Sequence, residues 1–362
     1  MRAAHTKRIA RRGWRTQPLV LNESYVGLLD QSGSRLALFD KALESIGEIE
    51  FGDAGPVERV VMGEGPSGVL GVWVHAHRTQ RSLLEGSCPI AAFFALPDDS
   101  ENATALIRVR LERHASAASA AGELIVRDDK LFIVGDAGLW GSGGGIACCA
   151  AVCLERPRVA GDFEVRSSWS LVEVTPTGRD RDELYSKNLI FAWLADGGGA
   201  LHAITSTAEA WSIDSRTGSR LSAQALPGLE AHGPWALEQP QIVRSLPTRA
   251  GGLLLEVSCV DDEERSLGHA FLYDERMHLV SRASSVFPVA IDPEGRRALT
   301  RRNGRWAIRT LPELNDEIEG LEDVDLCDVV ACDPEMTWAV GVRSHADESI
   351  TLSSFIGWSA SE

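Results

Sequence analysis

The clearest indication of the fold is segment Val289–Thr310, which reads Val-Ala-Ile-Asp-Pro-Glu-Gly-Arg-Arg-Ala-Leu-Thr-Arg-Arg-Asn-Gly-Arg-Trp-Ala-Ile-Arg-Thr. Two turn signals, Asp292–Gly295 and Asn303-Gly304, separate three short apolar segments. Proline presets φ for a turn, glycine accepts a positive φ, and Asn-Gly is the strongest signal for a two-residue hairpin. Because strand side chains alternate, Trp306 and Ile308 share one face. The stretch therefore predicts a three-stranded antiparallel meander.

A similar unit, with apolar residues followed by a polar residue and a turn, recurs along the chain. The units start at residues 36, 92, 169, 210, 270, 306 and 352, so successive starts differ by 56, 77, 41, 60, 36 and 46 residues. These spacings scatter around the ~40–50 residues of a four-stranded propeller blade. One blade cannot bury both of its faces, so several must pack together. We predict an all-β propeller of about seven four-stranded blades, within a range of six to eight.

The units carry a family resemblance. The Asp292–Gly295 turn and the Trp-bearing strand at Trp306 resemble a blade of the WD-repeat propellers, in which such features recur. The unit Ala210–Leu221, with a turn at Asp214–Gly218, also resembles a quinoprotein-type blade. The irregular spacing indicates a degenerate propeller. The resemblance implies a rigid platform that docks other proteins, although fold alone does not fix function.

The N-terminal segment is strongly basic. Residues 1–22 contain six basic residues and no acid, namely Arg2, Lys7, Arg8, Arg11, Arg12 and Arg15. We expect residues 1–362 to form a single propeller domain in which this segment closes the ring against the C-terminal blade. The alternative is a basic arm that binds nucleic acid or an acidic partner. A net charge of −16 argues against duplex nucleic acid as the main partner.

Composition limits the class of protein. A chain of 362 residues with 44% hydrophobic and 24% charged residues is typical of soluble globular proteins. It has no apolar run near the ~20 residues of a membrane span and no secretory pattern. Seven cysteines without a regular framework fit a reducing compartment. We expect a cytoplasmic protein without a membrane partner, and the excess of Arg over Lys is typical of a GC-rich bacterial genome.

The strongest charge feature is Glu313–Asp328, which holds eight acids and no base. Such a patch can steer a protein partner that has a basic surface. The alternative is a solvated blade edge whose charge prevents edge-to-edge pairing. We nominate acids of this patch, a second acidic pair and two tryptophans as partner-binding residues: Glu313, Asp316, Glu317, Glu319, Glu322, Asp323, Asp261, Asp262, Trp140 and Trp235.

Other motifs favour structural roles. The glycine-rich stretch Leu131–Gly145 matches neither a dinucleotide fingerprint nor a P-loop, so we expect a loop between strands. The thiols of Cys148–Cys153 are expected to be buried in a strand. His75 and His77, two residues apart, could hold a metal but have no identifiable third ligand, so a polar strand edge or solvated face is favoured. We assign no metal, cofactor or catalytic residue.

Our first functional hypothesis is a non-catalytic protein-protein interaction platform. It would be a subunit of a bacterial cytoplasmic complex, such as a defence, immunity or conflict-system component. The absence of Gly-x-Ser-x-Gly, His-Glu-x-x-His and Ser-x-x-Lys favours this hypothesis over an enzyme. The alternatives are a propeller enzyme of the lactonase, glycosidase or lyase kind, with its site at the central channel, and nucleic-acid binding through the basic N-terminal arm.

Overall fold

The structure is a computed structural model of the chain. It describes residues 2–9, 13–15, 18–22, 24–54, 56–65, 68–76, 90–96, 105–110, 122–127, 130–135, 146–155, 161–162, 167–175, 189–194, 199–205, 208–229, 241–260, 266–314, 316–322, 329–333 and 336–356.

Strands and one short 3₁₀ turn, Gly52–Ala54, make up the regular structure of the described residues. The strands up to residue 162 are β1 (His5–Ile9), β2 (Leu19–Val20), β3 (Tyr25–Leu29), β4 (Arg35–Asp40), β5 (Ser45–Glu50), β6 (Val57–Glu64), β7 (Leu70–Ala76), β8 (Ile90–Ala95), β9 (Ala105–Arg110), β10 (Gly122–Arg127), β11 (Lys130–Gly135), β12 (Ile146–Glu155) and β13 (Gly161–Asp162).

Sixteen more strands follow residue 162 in the described part of the chain. They are β14 (Ser167–Thr175), β15 (Leu189–Leu194), β16 (Ala200–Thr205), β17 (Glu209–Asp214), β18 (Arg220–Ala225), β19 (Gln241–Pro247), β20 (Leu253–Val260), β21 (Ser266–Tyr273), β22 (Leu279–Ser284), β23 (Val286–Ile291), β24 (Arg297–Arg302), β25 (Arg305–Thr310), β26 (Glu317–Gly320), β27 (Val329–Cys332), β28 (Trp338–Ser344) and β29 (Ile350–Ile356).

These strands form seven sheets, here called blades 1 to 7, in which most antiparallel neighbours are consecutive in the chain; the exceptions are β12 with β14 and β29 with β1. The blades are β2-β3-β4-β5, β6-β7-β8-β9, β10-β11-β12-β14, β15-β16-β17-β18, β19-β20-β21-β22, β23-β24-β25-β26 and β27-β28-β29-β1. Blade 2 has β13 as a fifth strand, parallel to β9. The fold is an all-β propeller of seven blades, which confirms the predicted class and blade number.

The predicted meander is confirmed as the first three strands of blade 6. The Asp292 turn contains Gly295 at φ 70°, and the hairpin residues Asn303 and Gly304 have φ 48° and 79°. Positive φ angles at both loop residues are typical of an Asn-Gly hairpin. Trp306 and Ile308 lie in one apolar cluster, as their alternation predicts.

All but one of the repeated sequence units lie in the same strand of their respective blades. Six of them coincide with the third strand of a blade, for example Leu36 in β4 and Ala210 in β17. The unit at Trp169 lies instead in β14, a fourth strand. The third strand of blade 3 is β12, in which residues 147–151 are all alanine or cysteine and lack the aromatic side chains of other units. This misplacement explains the irregular spacing of 77 and 41 residues.

The chain divides into two compact units. The first comprises Met1–Glu48 and Leu226–Glu362, and the second comprises Ile49–Ala225. In the first unit, apolar clusters join blade 5 to blade 6, blade 6 to blade 7, and blade 7 to blade 1. In the second, clusters join blade 2 to blade 3 and blade 3 to blade 4. Each blade thus buries apolar surface against at least one neighbour within its unit, which one blade cannot do alone.

The N-terminal segment supplies strands to two blades of the first unit. Strand β1 pairs with β29 over five residue pairs, from His5↔Ser354 to Ile9↔Ile350. Strand β2 begins blade 1, and Trp14 forms a bridge with Asp30. The organisation of residues 1–362 as one closed domain stays a prediction. No helix in the described part of the chain has the length and apolar character needed to cross a membrane.

Candidate functional site

Five of the nominated acids lie at the fourth strand of blade 6. Glu313 and Asp316 precede β26, Glu317 and Glu319 lie in it, and Glu322 follows it. Among the described strands, β26 pairs with β25 alone, so it forms the edge of the blade. Ile318 is 48% exposed between these acids. The structure therefore brings these five residues together on one exposed sheet edge.

A buried arginine supports this edge from inside the blade. Arg309 on β25 is only 4% exposed, and its Nη1 donates to Thr300 Oγ1 at 2.8 Å. Its Nη2 donates to Glu317 Oε2 at 3.2 Å. Burial lowers the pKa of Arg309, and the carboxylate of Glu317 opposes that shift. Because a guanidinium remains charged under these conditions, Glu317 serves as its counter-ion.

A second arginine reaches the edge from the N-terminal segment. Arg2 Nε donates to Glu322 Oε2 at 2.7 Å, and both side chains are exposed. This hydrogen bond lowers the pKa of Glu322, with the positive charge of Arg2 acting in the same direction. Within the described residues, Glu313 and Asp316 make no ion pair, so their charges face solvent. The acidic edge thus has two internally paired acids and two that are open to a partner.

Five nominated residues lie outside the described residues: Asp323, Asp261, Asp262, Trp140 and Trp235. The tryptophans that the structure does describe are all buried, namely Trp14, Trp73, Trp169, Trp193, Trp211, Trp306 and Trp338. Packing within and between blades accounts for them, as for Trp169 Nε1, which donates to Ser215 O at 2.8 Å. These seven therefore serve the core.

The histidine and cysteine motifs were partly misjudged. His75 is 3% exposed on the second strand of blade 2, so the expectation of a solvated face is wrong for it. Strand alternation in the sequence does not reveal that this side chain is buried. Cys153 is fully buried in β12, as predicted for a strand thiol. His77 lies outside the described residues, and no group of potential metal ligands is found among those described.

Blade 5 contains a carboxylate in an unusual environment. Glu256 on β20 lies 3.8 Å from Arg244 Nε on β19, measured to its Oε2 atom. Burial raises the pKa of Glu256, although Arg244 and Arg301 counteract the shift. Arg244 also donates to Val289 O of blade 6 at 3.4 Å. This group of charges joins two neighbouring blades within the first unit.

A comparable carboxylate occurs in the second unit. Glu123 lies on β10, the first strand of blade 3, and burial raises its pKa while Arg59 on β6 opposes the shift. Sequence inspection missed both Glu123 and Glu256. Each is a single acid inside an apolar strand, and the arginine beside it comes from a different strand.

A sheet edge of different character was also missed. All six residues of β18, the fourth strand of blade 4, are exposed. Leu221 is 61% exposed, and the residues after Arg220 are uncharged. On the neighbouring strand β17, the Trp211 ring lies 4.7 Å from the Arg220 guanidinium carbon. In the sequence, the absence of charged residues in Leu221–Ala225 is the signal that could have indicated this edge.

Comparison with solved structures places the seven blades in a known architecture. The WD40 domain of Pan2 from Neurospora crassa is 9% identical with a TM-score of 0.57, covering 94% of this chain and 89% of that chain. The chain has the WD40 propeller fold. Sqt1 from Saccharomyces cerevisiae is 9% identical with a TM-score of 0.53, covering 99% of this chain and 100% of that chain.

A third match is the β-propeller domain of Cps50 (Swd1) from Myceliophteria thermophila. It is 13% identical with a TM-score of 0.52, covering 96% of this chain and 98% of that chain. No protein-family model matches the chain, and no curated protein matches it by sequence. At these identities the likeness concerns the fold, and the predicted degenerate WD-repeat-like propeller is confirmed.

Proposed function

We propose that this protein is a non-catalytic platform that binds another protein, as a subunit of a bacterial cytoplasmic complex such as a defence, immunity or conflict system. The observation that carries the proposal is the acidic edge of blade 6. Glu313 and Asp316 face solvent there beside Ile318, which is 48% exposed. A mixed apolar and acidic surface suits a partner with a basic surface that also contributes an apolar side chain.

The charge of the whole chain supports this partner class. A net charge of −16 gives a long-range field that attracts basic proteins and raises their association rate. Local pairing of Glu317 and Glu322 with Arg309 and Arg2 holds the edge in place without neutralising Glu313 and Asp316. We include Asp323, Asp261, Asp262, Trp140 and Trp235 in the proposed partner-binding set on their sequence character.

The test is affinity capture from the native cell with the tagged full chain, followed by binding measurements with the purified partner. The informative variant is Glu313→Gln with Asp316→Asn, and the matched control is Glu275→Gln on the turn before β22. We expect the first variant to weaken binding by about tenfold, with a reduced dependence on salt. Unchanged affinity and salt dependence in that variant would exclude the acidic edge as the binding surface.

We also propose that residues 1–362 form a single domain that the N-terminal segment closes. Contacts of its basic side chains support this role. Lys7 Nζ donates to Leu43 O at 2.7 Å, and Arg8 Nη2 lies 2.7 Å from Asp347 Oδ2. With Arg2 on Glu322, three of the six basic residues contact the chain itself. The nucleic-acid alternative requires salt-dependent binding that is lost when residues 2–15 are deleted.

The enzyme alternative rests on Glu256 and Glu123. Carboxylates with raised pKa values beside arginines are found at catalytic sites as well as in structural networks. Assays of the purified protein against lactones and glycosides would test it, with Glu256→Gln and Glu123→Gln as variants. A hydrolytic activity lost in either variant would favour the enzyme, whereas equal turnover in both variants would exclude these residues as its acid or base.

A further inference from the structure

The acidic edge of blade 6 already holds a basic side chain that comes from a distant part of the chain. Arg2 Nε donates to Glu322 Oε2 at 2.7 Å, across 320 positions of sequence. A guanidinium is one of the basic groups that a protein partner can offer to a carboxylate. The N-terminal segment therefore presents to this edge the same chemistry that we propose for the partner.

The two arginines that reach the edge are held very differently. Arg309 is 4% exposed, and its guanidinium donates to Thr300 Oγ1 at 2.8 Å and to Glu317 Oε2 at 3.2 Å. The side chain of Arg2 is 82% exposed and that of Glu322 is 57% exposed. Ion pairs between exposed side chains are weak, with formation constants of about 1 to 5, whereas a buried pair is costly to separate. Arg309 is therefore a fixed part of the edge, and Arg2 is an occupant that can leave.

The backbone beside Arg2 is anchored, so its side chain can leave the edge without unfolding the segment. Ala3 packs against the apolar cluster that joins blades 6 and 7. The Ala4 amide donates to Ser354 O at 2.7 Å, just before β1 begins. These contacts keep the Arg2 side chain near Glu322 after each departure, so it competes at the high effective concentration of a tethered group.

We propose that Arg2 is an intrachain competitor of the basic partner: it occupies Glu322 in the free protein, and a basic side chain of the partner replaces it on binding. The proposal rests on the proposed function, because it assigns regulation to the same acidic edge. It commits the partner to an arginine or lysine that reaches Glu322 while other basic side chains of the partner meet Glu313 and Asp316. A partner that contacts several acids at once displaces a side chain that contacts one.

The weakness of the exposed ion pair sets the size of the expected effect. A site that is blocked for part of the time has its apparent affinity reduced by the fraction of open sites. With a formation constant of about 1 to 5 for the pair, removal of the Arg2 charge should strengthen partner binding by about two- to sixfold. The gain should shrink at high salt, because exposed charges are screened.

The test uses a labelled synthetic peptide, Arg-Leu-Arg-Leu-Arg, whose binding to the full chain is followed by fluorescence anisotropy at low salt. Any affinity tag is placed at the C-terminus, so that Arg2 keeps its natural position. We expect Arg2→Gln to tighten peptide binding by about threefold. Arg216→Gln is the matched control, because it removes the same charge from an exposed turn in the other compact unit. The control corrects for the change in net charge and should have little effect.

A double-mutant cycle separates competition at Glu322 from a general effect of charge. In the Glu322→Gln background, Arg2→Gln should change the affinity no more than Arg216→Gln does. Binding of the peptide to the wild-type chain should also lower the hydrogen-exchange protection of the Ala4 amide. An ion pair that only stabilises the fold would not respond to the peptide in this way.

The outcomes distinguish this inference from the function on which it rests. If Glu313→Gln with Asp316→Asn weakens peptide binding but Arg2→Gln does no more than Arg216→Gln, the edge binds basic ligands and the competition is overturned. A gain from Arg2→Gln that persists in the Glu322→Gln background would also overturn it, since the contact would not be the cause. A peptide that does not bind, or that binds equally when Glu313 and Asp316 are neutralised, would remove the proposed function and this inference with it.

Discussion

Strands β26 and β18 both end a four-stranded blade, but they present opposite surfaces. The β26 edge has Glu317 and Glu319 within the strand and Glu313, Asp316 and Glu322 beside it. The β18 edge has five consecutive uncharged residues, all exposed. Both edges offer backbone hydrogen-bonding groups, so they differ mainly in the charge of their side chains. An acidic edge attracts a basic protein by long-range electrostatics, whereas a neutral edge does not.

Strand β29 provides an example of an edge that another strand covers. The outer side of β29 is paired with β1 from the other end of the chain. Lys7 and Arg8 then secure β1 through Leu43 O and Asp347. A strand edge can thus be covered by another strand or carry charged side chains, whereas β18 has no covering strand among those described and a single charge, at Arg220.

The largest expected effect comes from exposing the covered edge. Deletion of residues 2–9 removes the five residue pairs between β1 and β29. With about one backbone hydrogen bond per residue pair and about 1 kcal/mol net per hydrogen bond, we expect the unfolding free energy to fall by about 5 kcal/mol. Urea unfolding checks this value. Lys7→Ala with Arg8→Ala retains the backbone pairing and should cost clearly less. Equal losses in the two variants would mean that side chains, and not the strand, secure the edge.

The second effect concerns the support of the acidic edge. Arg309→Met leaves Glu317 without its counter-ion and the oxygens of Thr300 without their donor, so we expect a loss of about 3 kcal/mol in unfolding free energy. Arg305→Met, on the same strand but exposed, is the matched control and should be nearly neutral. Similar stability of the two variants in urea would show that Arg309 does not support β26.

The third effect concerns the turn that leads into β18. Gly218 has φ 73°, and a Cβ atom there would lie 2.6 Å from Trp169. Gly218→Ala should therefore lower the unfolding free energy by about 2 kcal/mol. Gly199→Ala in the same blade meets nothing within 4 Å and provides the control. Calorimetry should show a lower Tm for the first variant only, and a shared Tm would contradict the strain at Gly218.

The smallest effect is a pH dependence at the acidic edge. The pKa of Glu322 is lowered in the folded state by Arg2. A lowered pKa means that the contribution to stability is present above the unfolded pKa and is lost as the pH falls through the folded pKa. Hydrogen-exchange protection of the Ala4 amide, which donates to Ser354 O, should decrease over that acidic range. Glu322→Gln should remove this decrease, and an unchanged pH profile in the variant would contradict the role of Glu322.

The sequence predicted the parts of the fold that have local signals. Asp292–Gly295 and Asn303-Gly304 gave the blade 6 meander because turn residues and strand alternation act over a few residues. Blade 3 was misplaced, since the small residues of β12 lack the aromatic marker and Trp169 supplies one on the next strand. A third strand rich in alanine and cysteine leaves no distinctive pattern in the sequence.

The candidate sites were predictable to a smaller extent. A run of acids is visible in sequence, so the acidic edge was found, but its support by Arg309 and Arg2 depends on residues brought together by folding. His75 was misjudged because burial of a strand face depends on the neighbouring blade. The β18 edge was overlooked because its signal is an absence of charge, which acquires meaning only when the other fourth strands are known.

Hydrogen exchange measured by mass spectrometry with and without the captured partner tests the contrast between the two edges most directly. The account predicts that peptides covering residues 317–320 gain protection when the partner is present, while peptides covering residues 220–225 exchange at the same rate in both samples. Protection that appears at residues 220–225, or that is absent from residues 317–320, would contradict the claim that the acidic edge is the binding surface.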